Sequence, residues 1–88
     1  MDGEVEKKKI GKISHYYSKI GVAVVDLEDT LVVGDTIEIS GPATNVTQTV
    51  DSMQIEHENV KQAKKGQSIG MKVSDRVREN DVVYKIIE

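Results

Sequence analysis

The apolar residues of this 88-residue chain are dominated by Val and Ile, with Leu only at Leu27 and Leu31 and neither Phe nor Trp anywhere. Side chains branched at Cβ lose rotamer freedom in a helix and pack well on a pleated surface, so this bias predicts an all-β fold with an aliphatic core. Ile37 and Ile39 alternate with Thr36, Glu38 and Ser40, and Ile69, Met71 and Val73 alternate with Ser68, Gly70 and Lys72. A period of two marks strands with one dry and one wet face. Val22 to Val25 and Val82 to Ile87 are nearly continuous apolar runs, as expected for strands covered on both sides or set against chain ends.

Turn residues divide the chain into six expected strands: Lys8 to Tyr17, Ile20 to Leu27, Asp35 to Ser40, Val46 to Glu56, Gln67 to Ser74 and Val82 to Ile87. Gly34, Gly41 and Gly66 are expected to supply positive φ, and Asn80 is the residue type other than Gly that best tolerates it. Within Val46 to Glu56 the apolar parity shifts between Val50 and Met53, which predicts a β-bulge near Ser52. Asn59 to Lys65 reads as a short helical turn. Residues 1–8 read as a flexible basic arm and residues 9–88 as a single domain, because a chain of this length holds one core.

Composition removes several functions. With no Cys there is no disulfide framework, thiolate metal site or cysteine nucleophile. No run approaches the roughly 18 apolar residues of a membrane span, so a soluble cytoplasmic protein is the expectation. The net charge of −3 opposes indiscriminate nucleic-acid binding, which scales with phosphates neutralised, yet leaves room for a local basic face. None of the serines lies in a G-x-S-x-G elbow. The cluster Glu56, His57, Glu58 has metal-ligand types, but on a strand His57 would point away from both carboxylates, so a surface cluster is the better reading. The chain therefore reads as a binding module that is not an enzyme and needs no metal or cofactor.

Four segments in order carry a resemblance: VVGDTIEISG from Val32 to Gly41, VDSMQIEHE from Val50 to Glu58, AKKGQSIGMKV from Ala63 to Val73, and RVRENDVVYKI from Arg76 to Ile86. Together they resemble the second domain of translational GTPases such as elongation factor Tu and initiation factor two. More narrowly, the chain is similar to small stand-alone archaeal proteins described as translation elongation factor-like. Related barrels also occur at the C-terminus of U32-family peptidases. The resemblance implies a six-stranded antiparallel Greek-key β-barrel of the translation-factor domain 2 type.

It further implies docking on the translation apparatus, whether tRNA, the ribosome or a translation-related protein. Of the adjacent pair Tyr16 and Tyr17, one ring is expected to cap the core and the other to face solvent. An exposed ring beside cations is how β modules hold single-stranded RNA, which makes Tyr17, Lys64, Lys65, Arg76 and Arg78 the candidate RNA- or partner-contacting residues. The GTPase signature G-x-x-x-x-G-K-[ST] is absent, and GQSIG at Gly66 to Gly70 lacks the lysine that reaches phosphate, so no nucleotide cofactor is expected. The alternative reading is a protein-interaction accessory barrel related to the module found with U32-family peptidases.

Overall fold

Residues 6–87 are described by a computed structural model, and every regular element in them is a strand. Ten strands follow in chain order: β1 Glu6–Tyr17, β2 Val22–Leu27, β3 Leu31–Val32, β4 Thr36–Gly41, β5 Thr44–Thr49, β6 Met53–Ile55, β7 Glu58–Val60, β8 Gln62–Ala63, β9 Ser68–Lys72 and β10 Val82–Ile87. Eight form one sheet in the order β5-β4-β10-β1-β2-β9-β6-β7, while β3 pairs with β8 separately. All pairings are antiparallel.

The core is aliphatic, as the composition requires. Ile10, Ile13, Leu31, Ile37, Ile39, Met53, Ile69 and Val83 are all sealed from solvent, and Tyr16 packs against their edge. Within β2 the dry positions are Ala23, Val25 and Leu27, and within β4 they are Ile37 and Ile39, which is the period-two pattern made physical.

A closed six-stranded barrel is not what forms. The ladder ends at β5 on one side, and on the other side no described strand of the eight-stranded sheet pairs back to it. The expected strand Val46 to Glu56 is in fact two strands with different partners, β5 on β4 and β6 on β7 and β9. Its parity shift is therefore a break, and the bulge expected near Ser52 is absent. At the break the Val50 N–H donates to the Asp35 carbonyl at 2.8 Å, and the Gly34 N–H donates to the Val50 carbonyl at 2.9 Å. With both groups of Val50 tied to the Gly34–Asp35 turn, Asp51 and Ser52 cross exposed to the next strand.

What closes the gap is a side chain. Gln48 Nε2 donates to the Lys72 carbonyl at 2.9 Å, and Gln48 Oε1 accepts the Ser74 N–H at 2.8 Å, across a cleft of about 440 Å³.

Irregular pairing occurs instead in β1, between Lys9 and Gly11 against β10 and between Ile13 and His15 against β2. Of the expected arm, residues 1–5 lie outside the described residues, while Lys7, Lys8 and Lys9 are strand residues opposite Ile86, Lys85 and Tyr84. The expected helical turn at Asn59 to Lys65 is instead β7 and β8, because Val60 and Ala63 fold onto the core edge as paired residues. Gly34 and Gly66 have φ of 102° and 91°, and Asn80 has 75°. Gly41 is not in that region; it is small because a Cβ there would overlap the buried Asp81 carboxylate.

Candidate functional site

The outer face of β1, β2 and β9 can be read row by row from the register. Tyr17 lies opposite Val22, which lies opposite Lys72; His15 lies opposite Val24, which lies opposite Gly70, which lies opposite Gln54 of β6. A third row holds Asp26 and Ser68, whose Oγ donates to Asp26 Oδ1 at 2.7 Å. The middle of this face is apolar and open. Tyr17 is 49% exposed and Ile20, in the β1–β2 turn, 60% exposed.

Between Tyr17, Ile20, Val24 and the β6–β7 hairpin runs a groove of about 510 Å³ with Gly70 on its floor. The hairpin tip is Glu56–His57, and both residues have positive φ, 50° and 67°. His57 is thus a turn residue rather than a strand residue. Among the described residues, no group of three His, Cys, Asp or Glu side chains is placed to hold a metal ion. On the other flank of the face, the His15 ring meets Tyr17 edge to face with centroids 4.3 Å apart, and His15 Nδ1 lies 3.3 Å from Glu79 Oε2.

Lys64 and Lys65 do not converge on Tyr17. Tyr17 stands at the Val22 end of β2, whereas Lys64 and Lys65 sit in the turn whose Gly66 N–H donates to the Leu27 carbonyl at the other end. Six strand residues separate those ends by about 17 Å. Arg76 and Arg78 flank the buried Val77 in the loop before β10. The Arg76 N–H is held by Asp75 at 2.7 Å and the Arg78 N–H by Asp81 at 2.8 Å. The basic run that suggested a cationic arm is matched by acids: Lys7 pairs with Glu38 at 3.0 Å, Lys8 with Asp29, and Lys9 with Glu28 at 3.6 Å. Lys7 also lies 5.4 Å from the Tyr84 ring centroid.

The hydrogen bond from Lys8 and that from the Thr30 N–H hold the Asp29 carboxyl below its ordinary range, and its burial opposes them weakly. The groove itself is a feature that sequence reading missed. The usable signal was an apolar run, Ile20 to Val25, beside a mid-strand glycine at Gly70.

No family model matches the chain. It is similar to two kinds of curated protein: 45% identical over 83 residues to an uncharacterized protease of Methanocaldococcus jannaschii, covering 93% of this chain, and 39% identical over 82 residues to a collagenase of Porphyromonas gingivalis, covering 91% of it. The chain spans about a fifth of the length of these relatives, 20% and 23% respectively. Among solved structures it superimposes on the C-terminal domain of a protein described as a U32 peptidase from Geobacillus thermoleovorans. The TM-score is 0.83 at 23% identity, over 89% of this chain and 91% of that one. A selenomethionine variant of the same domain gives 0.82.

This chain has the fold of a U32-peptidase C-terminal domain. Of the two readings of the sequence, the module related to U32 peptidases is the supported one, and the translation-factor assignment with its RNA-binding role is overturned. The source of the likeness is physical. Gly34 with Asp35 and Gly66 with Gln67 are turn chemistry: the Asp35 carboxylate accepts the Val32 N–H at 2.9 Å, and Gln67 Oε1 accepts the Lys64 N–H at 2.7 Å. A small antiparallel sheet needs such turns whatever it binds, so the shared motifs reported local backbone demands.

Proposed function

We propose that this chain is a non-catalytic accessory domain that docks on a protein partner of the U32-peptidase kind and helps position that partner's working surface. The observation that carries the reading is the open apolar face of β1, β2 and β9. Tyr17 and Ile20 are exposed side by side there, over a groove too shallow in charged groups to hold a small polar substrate. Exposed aromatic and aliphatic side chains around a groove are the usual anchors of protein contacts. The similarity to about a fifth of a protease and a collagenase supports a partner made of the remainder of such a protein.

A chimera tests this: the Porphyromonas gingivalis collagenase with its matching 82 residues replaced by this chain, compared with the collagenase lacking that segment. The chimera is expected to recover collagen cleavage well above the shortened protein. A folded chimera no more active than the shortened protein contradicts the proposal.

A further inference from the structure

We infer that the groove on the β1–β2–β9 face receives a polypeptide segment that sets one large apolar side chain over Gly70 and a Lys or Arg beside Glu56. The inference rests on the accessory-domain reading and names the chemistry of the partner.

Three residues around this groove go against their local structure. Gly70 sits inside a strand, where glycine weakens pairing and packs nothing. Its φ is not positive, and a Cβ would meet nothing closer than Val22 Cγ1 at 3.6 Å, ordinary contact. The fold has room for a side chain and lacks one. Glu56 and His57 form the two-residue tip of the β6–β7 hairpin with φ of 50° and 67°. That geometry favours Asn-Gly, and residues with a longer side chain are strained in it. Elsewhere the molecule obeys these rules: Gly34 and Gly66 occupy left-handed turns, and a Cβ on Gly11 would overlap the Asp26 carbonyl.

Departures from local preference that gather at one place mark function rather than folding. Here all three border one groove. The missing side chain of Gly70 leaves a depression between Val24 and Gln54, walled by Tyr17 and Ile20. The groove has room for a bulky apolar group. The charge is one-sided: among the lining residues Glu56 is the only carboxylate, and no Lys or Arg lines the groove. A partner's cation next to its apolar anchor would complement that rim.

The test is a nuclear magnetic resonance titration of the isotopically labelled chain with three capped tetrapeptides, Ala-Trp-Arg-Ala, Ala-Gly-Arg-Ala and Ala-Trp-Glu-Ala. The first should bind at millimolar level and shift the amides of Tyr17, Val24, His57 and Gly70. Removing Trp should abolish those shifts, and replacing Arg by Glu should weaken binding at least threefold. Gly70→Val should keep the spectrum of the folded chain away from the groove while losing the Trp-dependent shifts. Shifts that fall elsewhere, that persist in Gly70→Val, or that do not depend on Trp overturn the groove assignment.

The collagenase chimera separates the two proposals. If it is active and Gly70→Val leaves it fully active, the accessory reading stands and the groove falls. If the peptide shifts appear as described but the chimera is inactive, the groove stands and the peptidase partner falls.

Discussion

Gln48 Nε2 donates to the Lys72 carbonyl across 2.9 Å, joining β5 to β9 where no backbone ladder runs. The same amide accepts the Ser74 N–H at 2.8 Å, so one side chain occupies the hydrogen-bonding position of a strand residue opposite Val73. A primary amide carries a donor and an acceptor in the same relation as a peptide group, which is why Gln serves there.

Gln48→Ala removes both bonds and is expected to destabilise the chain by about 1 to 2 kcal/mol, a fall in Tm of roughly 4 to 16 °C for a domain of this size. Gln48→Glu keeps an acceptor for Ser74 but sets a carboxylate against the Lys72 carbonyl. It should behave like Ala at neutral pH and recover below about pH 4, where a protonated carboxyl can donate. Thermal melts of the three proteins at pH 7 and pH 3.5 check this; equal Tm values at neutral pH would remove Gln48 as the closing group.

Two glycines of the same sheet should respond in opposite ways. Gly11→Ala drives a methyl into the Asp26 carbonyl and is expected to cost about 2 to 3 kcal/mol. Gly70→Val places a strand-forming side chain in ordinary contact with Val22 and should be neutral or stabilise by up to about 1 kcal/mol. Urea unfolding of both variants measures the contrast, and a destabilised Gly70→Val would show that the fold needs this glycine.

Relieving the hairpin tip should also stabilise. Glu56→Asn combined with His57→Gly supplies the residues that its positive φ values favour and is expected to add about 1 kcal/mol. The same double variant should weaken the Trp-Arg peptide, because Glu56 is gone from the rim. A Tm at or below that of the parent chain would argue that the tip is unstrained.

At low pH the Lys8–Asp29 contact should be lost. A carboxyl whose pKa is lower in the folded chain than in the unfolded one contributes stability above its unfolded value and loses it as pH falls through its folded value. Asp29 is of this kind, held down chiefly by its hydrogen bond from Lys8. The contribution is therefore complete at neutral pH and fades below about pH 4. Lys8→Met should move the Asp29 carboxyl titration upward; an unmoved midpoint would mean that the pair does not form in solution.

Much of the fold was legible because period and turn chemistry are local. Val82 to Ile87 was expected as a strand and is β10 with the same ends, and Asn80 takes the left-handed turn its side chain tolerates. The break after Thr49 was visible as a parity shift, but parity cannot tell a bulge from a change of partner, which only pairing decides. The true irregularities in β1 had a signal, the three-residue spacing of the buried Ile10 and Ile13.

Closure through Gln48 had no sequence signal, since a side chain bridging 24 residues leaves no periodicity. For the site, the exposure of Tyr17 followed from its strand neighbour Tyr16 facing the core. Two of the cations proposed beside it were separated from it by the fold: Lys64 and Lys65 lie at the far end of β2, a distance that chain order alone does not give.

Hydroxyl-radical footprinting of side chains in the collagenase chimera, compared with the free chain, tests most directly whether the β1–β2–β9 face meets the partner. Tyr17, Ile20 and His57 are expected to lose oxidation several-fold in the chimera. Val32 and Ile87, exposed elsewhere, serve as references and should react equally in both. Equal oxidation of Tyr17, Ile20 and His57 in an active chimera would contradict docking through this face.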